Sequence, residues 1–120
     1  MSDDGYEILH RKDFETNGKW QLARKSLGIG AFGMNVVTIP PGESIPEHNE
    51  EARDHEEVFI VLRGNPTMVI DGEKKQISEG TFVRVDPKPQ RTVMNETDED
   101  AEILIISAPR SSGYEPLSWA

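Results

Sequence analysis

Cysteine is absent from the 120 residues of this chain, and histidine occurs only three times, as His10, His48 and His55. The first absence excludes disulfide scaffolds, thiol catalysis and cysteine-ligated zinc or iron–sulfur centres, so any metal has to be held by imidazole and carboxylate. Positive charge is also scarce. Thirteen Lys and Arg face 22 Asp and Glu, a net charge of −9, which disfavours nucleic acid and anionic membranes as partners because both require clustered cations. No apolar run approaches the roughly 20 residues of a membrane span, and the opening residues MSDDGYEILHRKDF lack a charged-then-apolar leader pattern. The expectation is a cytoplasmic protein. Its acid excess fits either salt adaptation or ordinary surface loops.

The length matches one ordinary domain, with no room for a second core. Trp20 to Leu27 reads as an extended stretch interrupted by Gln21, Arg24 and Lys25, and Gly28, Gly30 and Gly33 read as a turn. Their G-x-G-x-x-G spacing is no dinucleotide site, since it leads into the β-branched run Met34 to Ile39 and not into a helix; neither a nucleotide nor a flavin is expected. Beyond residue 34 short apolar runs alternate with turn signals: Val58 to Leu62, Thr67 to Ile70, Asp71-Gly72 as a hairpin turn, Glu73 to Ile77, Thr81 to Val85, Arg91 to Met94 and Ile103 to Ile106. Seven or eight short strands and no amphipathic helix past residue 34 predict an all-β sandwich or barrel. Val58 to Leu62 and Ile103 to Ile106 are apolar on both faces, so an arm, the tail from Tyr114 to Trp119 or a second subunit is expected to cover the outside, making a homodimer a candidate state.

Residues 42–64, GESIPEHNEEARDHEEVFIVLRG, hold the chemistry. His55 and Glu57 stand two apart at the start of a strand and therefore share a face. With His48 from a neighbouring segment they bring together two imidazoles and a carboxylate, a set suited to a divalent ion. The same segment, with six acids from Glu47 to Glu57, reads equally as a solvated acidic loop. His10 has no such neighbours. Phe59, Val61, Met68, Phe82 and Met94 are candidate walls of a small-molecule pocket or plain core, and no Ser-His-Asp arrangement or phosphate-cradling loop is present.

At this point the chain resembles the cupin superfamily. Gly42, five residues, His48 and then Glu57 to Gly64 look like the first cupin motif; Gly80, Thr81 to Val85, Asp86-Pro87 and Asn95 look like the second. The resemblance covers residues 34–107 and implies a double-stranded β-helix, a jelly-roll barrel over 34–109, with an N-terminal arm over 1–33 and a short tail over 110–120. It places His48 and Glu57 on metal-ligand positions. Glu50 stands where a second histidine belongs, His55 is a substitute from another position, and Arg91 occupies the place of the last ligand histidine. The cofactor implied is a divalent metal such as iron, manganese, zinc or nickel. The activities implied, if the protein is an enzyme, are those of an oxygenase, isomerase or decarboxylase acting on a small molecule.

Arg91 cannot ligate a metal, because its guanidinium is permanently protonated. A cation within about 4 Å of a divalent ion costs several kcal/mol at the dielectric of a partly buried site. Three outcomes are therefore open. Arg91 pairs with Glu57 in place of a metal, turns outward and leaves a site of His48, Glu50, His55 and Glu57, or anchors an anionic ligand.

Overall fold

The structure is a computed structural model that describes residues 4–120. Its strands are β1 (Thr16–Asn17), β2 (Trp20–Gln21), β3 (Gly33–Ile39), β4 (His55–Arg63), β5 (Thr67–Ile70), β6 (Glu73–Gln76), β7 (Phe82–Val85), β8 (Arg91–Met94) and β9 (Ala101–Pro109), with one short helix, α1 (Ala23–Leu27). Six of them form a sheet in the order β1-β2-β3-β9-β4-β7, and β6-β5-β8 form a second. Residues 44–48 extend the smaller sheet by bridging β8 at Ser44–Met94 and His48–Arg91. The two sheets enclose one core in the manner of a jelly-roll barrel.

Alternation along the strands decides which side chains fill that core. On β4 the inward residues are Glu57, Phe59 and Val61, all buried, while Val58 and Ile60 between them face out and stay half-exposed. The register places Val61 beside Ile103 and Phe59 beside Ile105, and Ile103 in turn beside Val37. Met68 and Val93, paired across β5 and β8, close the core from the opposite sheet. Each such side chain removed from water contributes about 2 kcal/mol.

Two features differ from the sequence expectation. Ala23 to Leu27 is helical and not extended: Ala, Arg, Lys and Leu are good helix formers, and Gly28 ends the turn in the left-handed region at φ 73°, its N–H donating to the helix carbonyls. Gly33 belongs to a strand and not to a turn. A Cβ there would stand 2.7 Å from the Ser107 hydroxyl, so glycine is what lets Ser107 lean across β3. The outer sheet face is covered only in part: Val36 is buried there and Arg11 of the arm reaches Glu102 at 2.8 Å, while Ile60, Leu104 and Ile106 stay half-exposed.

Two turns fix the barrel's register. Asp71 and Gly72 both have positive φ, 49° and 81°, the tight hairpin geometry that Asp-Gly favours. Gly64 ends β4 at φ 88° with the Asp100 carbonyl 2.8 Å from where a Cβ would lie. Gly64→Ala is expected to cost about 3 kcal/mol, from strain plus a backbone clash, and Gly72→Ala, which meets open space, about 1 kcal/mol. Urea unfolding of the two variants would show equal losses if the clash were unimportant.

Candidate metal centre

The segment that carries the acidic and imidazole groups is shaped by its main chain. His48 and Arg91 exchange both backbone hydrogen bonds, at 3.1 and 2.8 Å, so β8 sets the height of the imidazole in the barrel. Two residues on, the Glu50 N–H donates to the Pro87 carbonyl at 2.9 Å, and the Glu50 carbonyl accepts from Arg53 and His55. A single 3-10 turn over Glu51–Arg53 follows, closed by Asp54 in the left-handed region at φ 53°, a conformation that Asp tolerates better than most residues. That reversal starts β4 at His55 and turns Glu57 inward. The Asp54 carboxylate binds the Arg110 guanidinium at 2.7 Å, tying the start of β4 to the end of β9.

Three potential donors converge as a result. His48 Nε2 lies 3.2 Å from Glu50 Oε2 and 3.5 Å from Glu57 Oε1, and one donor atom from each residue falls within 4.8 Å of the others. Atoms that share an ion at about 2.1 Å stand roughly 3.0–3.4 Å apart, depending on octahedral or tetrahedral geometry. The spacing therefore fits a divalent ion. His48 Nδ1 lies 3.2 Å from the Pro46 carbonyl; a carbonyl only accepts, so Nδ1 carries a proton, and a ring that has no proton on Nε2 offers that lone pair to an ion held between the two carboxylates. Three acceptors facing one point need a cation or a proton between them. Among the described residues, moreover, Glu57 Oε1 is buried without a hydrogen-bond partner, as is His55 Nδ1. This cluster is capable of coordinating a metal.

Arg91 is the fully buried cation beside it. It donates to the carbonyls of Val85 at the end of β7 and of Asp86 and Pro87 in the turn that follows, and its Nε lies 3.4 Å from Glu57 Oε1 without forming a hydrogen bond. It points neither outward nor into the open cavity. Burial pushes the Glu57 carboxyl above the usual carboxylate range, Glu50 reinforces this, and the charges of His48, Arg91 and Arg53 offset it in part. Glu50 has its own cation in Arg53, three residues along.

The other predicted residues divide by position. His55 lines the cavity, with Nδ1 3.7 Å from Glu50 Oε1, one step outside the converged set. Phe59 lines it too. Val61 and Met68 are core residues, Met94 faces out from β8, half-buried, and Phe82 is 69% exposed on the outer sheet face; these two are not pocket walls, because strand alternation turns them away. His10 caps a 3-10 turn at the surface, far from any ligand role. Asn95 is buried and holds the acidic loop, donating to the Ile39 and Glu99 carbonyls. The cavity, of about 440 Å³, has a further side lined by Trp20, Arg24, Asn35 and Ser107. Nothing in the sequence marked Arg24 or Ser107 as a cavity residue.

Comparison with known proteins agrees with this architecture. Residues 35–107 match the family model described as Cupin domain. An uncharacterized protein of Methanocaldococcus jannaschii is 24% identical over 98 residues, covering 81% of this chain and 82% of its own. The crystal structure of a cupin protein from Bacteroides fragilis superposes with a TM-score of 0.79 at 21% identity, over 99% of this chain and 94% of that one. A sugar phosphate isomerase of the cupin superfamily from Silicibacter pomeroyi gives a TM-score of 0.66 at 20% identity, over 74% of this chain and 57% of that one.

Removing one member of a buried ion pair leaves the other charge without compensation. Arg91→Met is expected to destabilise the metal-free protein by about 3 kcal/mol, and adding Glu57→Gln is expected to recover part of that loss. Urea unfolding of the single and double variants tests the coupling, which would be refuted by strictly additive effects.

Proposed function

The chain belongs to the cupin domain family, and from that premise we propose that it binds one divalent metal ion through His48, Glu50 and Glu57 and presents it to a small molecule in the cavity. The observation that carries this reading is the convergence of the three acceptor atoms at ligand spacing around a carboxylate oxygen with no hydrogen-bond partner. His55, whose buried Nδ1 also has no partner, is the nearest further donor. An oxygen-rich set with one or two imidazoles suits manganese or iron(II) better than a thiophilic ion. A bound ion there polarises an oxygen of the small molecule. Glu57 and Glu50 neutralise the ion, the Pro46 carbonyl holds the His48 ring in the ligating tautomer, and Phe59 and Ile105 give the cavity a dry wall.

A second reading is favoured by the 3.4 Å approach of Arg91 to Glu57. In it the guanidinium takes the place of the ion and the pocket works without metal. Metal content separates the two. Manganese, iron, zinc or nickel is expected at one per chain in untagged protein by elemental analysis, and His48→Ala or Glu57→Gln is expected to weaken binding at least 100-fold. Stoichiometric metal retained in both variants would reject the ligand set.

We also propose a homodimer formed through the outer face of the larger sheet. No described helix is long and apolar enough to cross a membrane, and the cysteine-free composition fits a cytoplasmic dimer. Ile60 lies between Leu104 and Phe82 in register, and Val58 beside Ile106, making a continuous apolar stripe. Light scattering is expected to give twice the chain mass, and Ile60→Asp to return it to one; a monomeric wild type at micromolar concentration would refute the dimer.

A further inference from the structure

We infer that the small molecule taken by this cavity is an anion, held between the metal ion and the Arg24 guanidinium; the inference rests on the metal reading above. It starts from charge. Two carboxylates, Glu50 and Glu57, line the cavity, and Arg24 and Arg53 line it as well. Arg91 stands directly behind Glu57. A divalent ion added to these three guanidinium groups leaves positive charge in excess, inside a protein whose net charge is −9. A centre in which a neutral imidazole replaced Arg91 would carry one positive charge fewer.

The excess is not dissipated by the surroundings. Arg91 has no access to water, and its three hydrogen bonds go to neutral carbonyls, so its charge remains at the site. Arg53 is committed to Glu50. Arg24 is different: its Nη1 donates to the Ile29 carbonyl at 3.1 Å, and among the described residues it makes no ion pair with a carboxylate. It is an exposed guanidinium at a cavity wall with donors to spare, and a fork of donors matches a carboxylate or phosphate at two points.

The strand order sets the length of the ligand. Glu57 on β4 is paired with Ser107 on β9, and Ser107 with Gly33 on β3. Two interstrand steps of about 4.8 Å put the β3 side roughly 10 Å across the sheet from the metal cluster. Asn35 and Ser107 lie along that path and line the cavity, supplying an amide and a hydroxyl to polar groups in the middle of the ligand. Ser107 is available there because Gly33 leaves space for its hydroxyl. The ligand class is therefore a small polar acid, with oxygens for the ion at one end and a carboxylate or phosphate for Arg24 at the other. A neutral sugar or alcohol of the same size would leave the guanidinium groups and the ion uncompensated.

The full chain loaded with one equivalent of Co(II) provides the test, because the visible spectrum of Co(II) reports both metal uptake and ligand entry. Malonate, inorganic phosphate and erythritol serve as dicarboxylate, phosphate and neutral probes. At least one anion is expected to saturate a spectral change that erythritol does not produce, and whichever anion binds tighter distinguishes a carboxylate from a phosphate site. Arg24→Gln is expected to weaken that anion at least tenfold, and Arg24→Lys to restore part of the loss. Erythritol binding as well as the anions, no response to either anion, or equal anion affinity in Arg24→Gln would overturn the inference while leaving the metal reading intact. Failure of Co(II) to bind at all would overturn the metal reading first.

Discussion

Arg91 is cut off from water, and its charge has to be answered from inside the barrel. That constraint organises the surroundings. Three successive carbonyls, at the end of β7 and in the turn after it, are aimed at it, which fixes the path of Asp86 and Pro87. Pro87 in turn receives the Glu50 N–H, and the Arg91 main chain is the partner of His48. One buried guanidinium thus holds the two segments that carry the imidazole and the carboxylates in relation to each other. Glu57, facing it at 3.4 Å, is left with an oxygen that lacks a hydrogen bond. Satisfying the arginine mainly through carbonyls is what leaves that oxygen free for another cation.

The energetic consequence is a site poised between two kinds of compensation. Glu57 answers Arg91 when nothing else is present, and its carboxyl is held above the ordinary range by burial and by Glu50. An ion placed among His48, Glu50 and Glu57 draws on the same oxygen. Buried ion pairs contribute little net stability because desolvation offsets the attraction, so sharing Glu57 with an ion gives up less than the geometry suggests. The barrel of the family is present here with a permanent charge buried beside its cluster of donors.

Much of the barrel could be read from residues alone, because period-two alternation and Asp-Gly, Pro-Gly and Asp-Pro turns are local signals. The strands from Met34 onward follow that pattern closely. Trp20 to Leu27 misled because its apolar spacing suits either a strand or a single helical turn, and the deciding feature was Gly28 as a left-handed cap. At the site, His48, Glu50 and Glu57 were legible through their resemblance to a ligand loop. The depth of Arg91 was not, since burying a guanidinium depends on carbonyls from residues 85–87 that no local pattern reveals. Phe82 and Met94 were misjudged for the opposite reason: apolar character does not say which face of a strand a residue occupies. Arg24 and Ser107 reach the cavity only through the order β2-β3-β9-β4, a long-range property.

The loop from His48 to His55 is secured by its main chain. The Glu50 N–H and carbonyl, the Asp54 carbonyl and the His48 backbone make the contacts that set its course, whereas the side chains at 50, 53 and 55 hang from a frame they do not build. Shape and donor identity are therefore separable at this rim. The barrel can exchange a carboxylate for an imidazole, or a donor for a cation, without redrawing the backbone. The loop behaves as a socket whose fittings vary while its mounting does not.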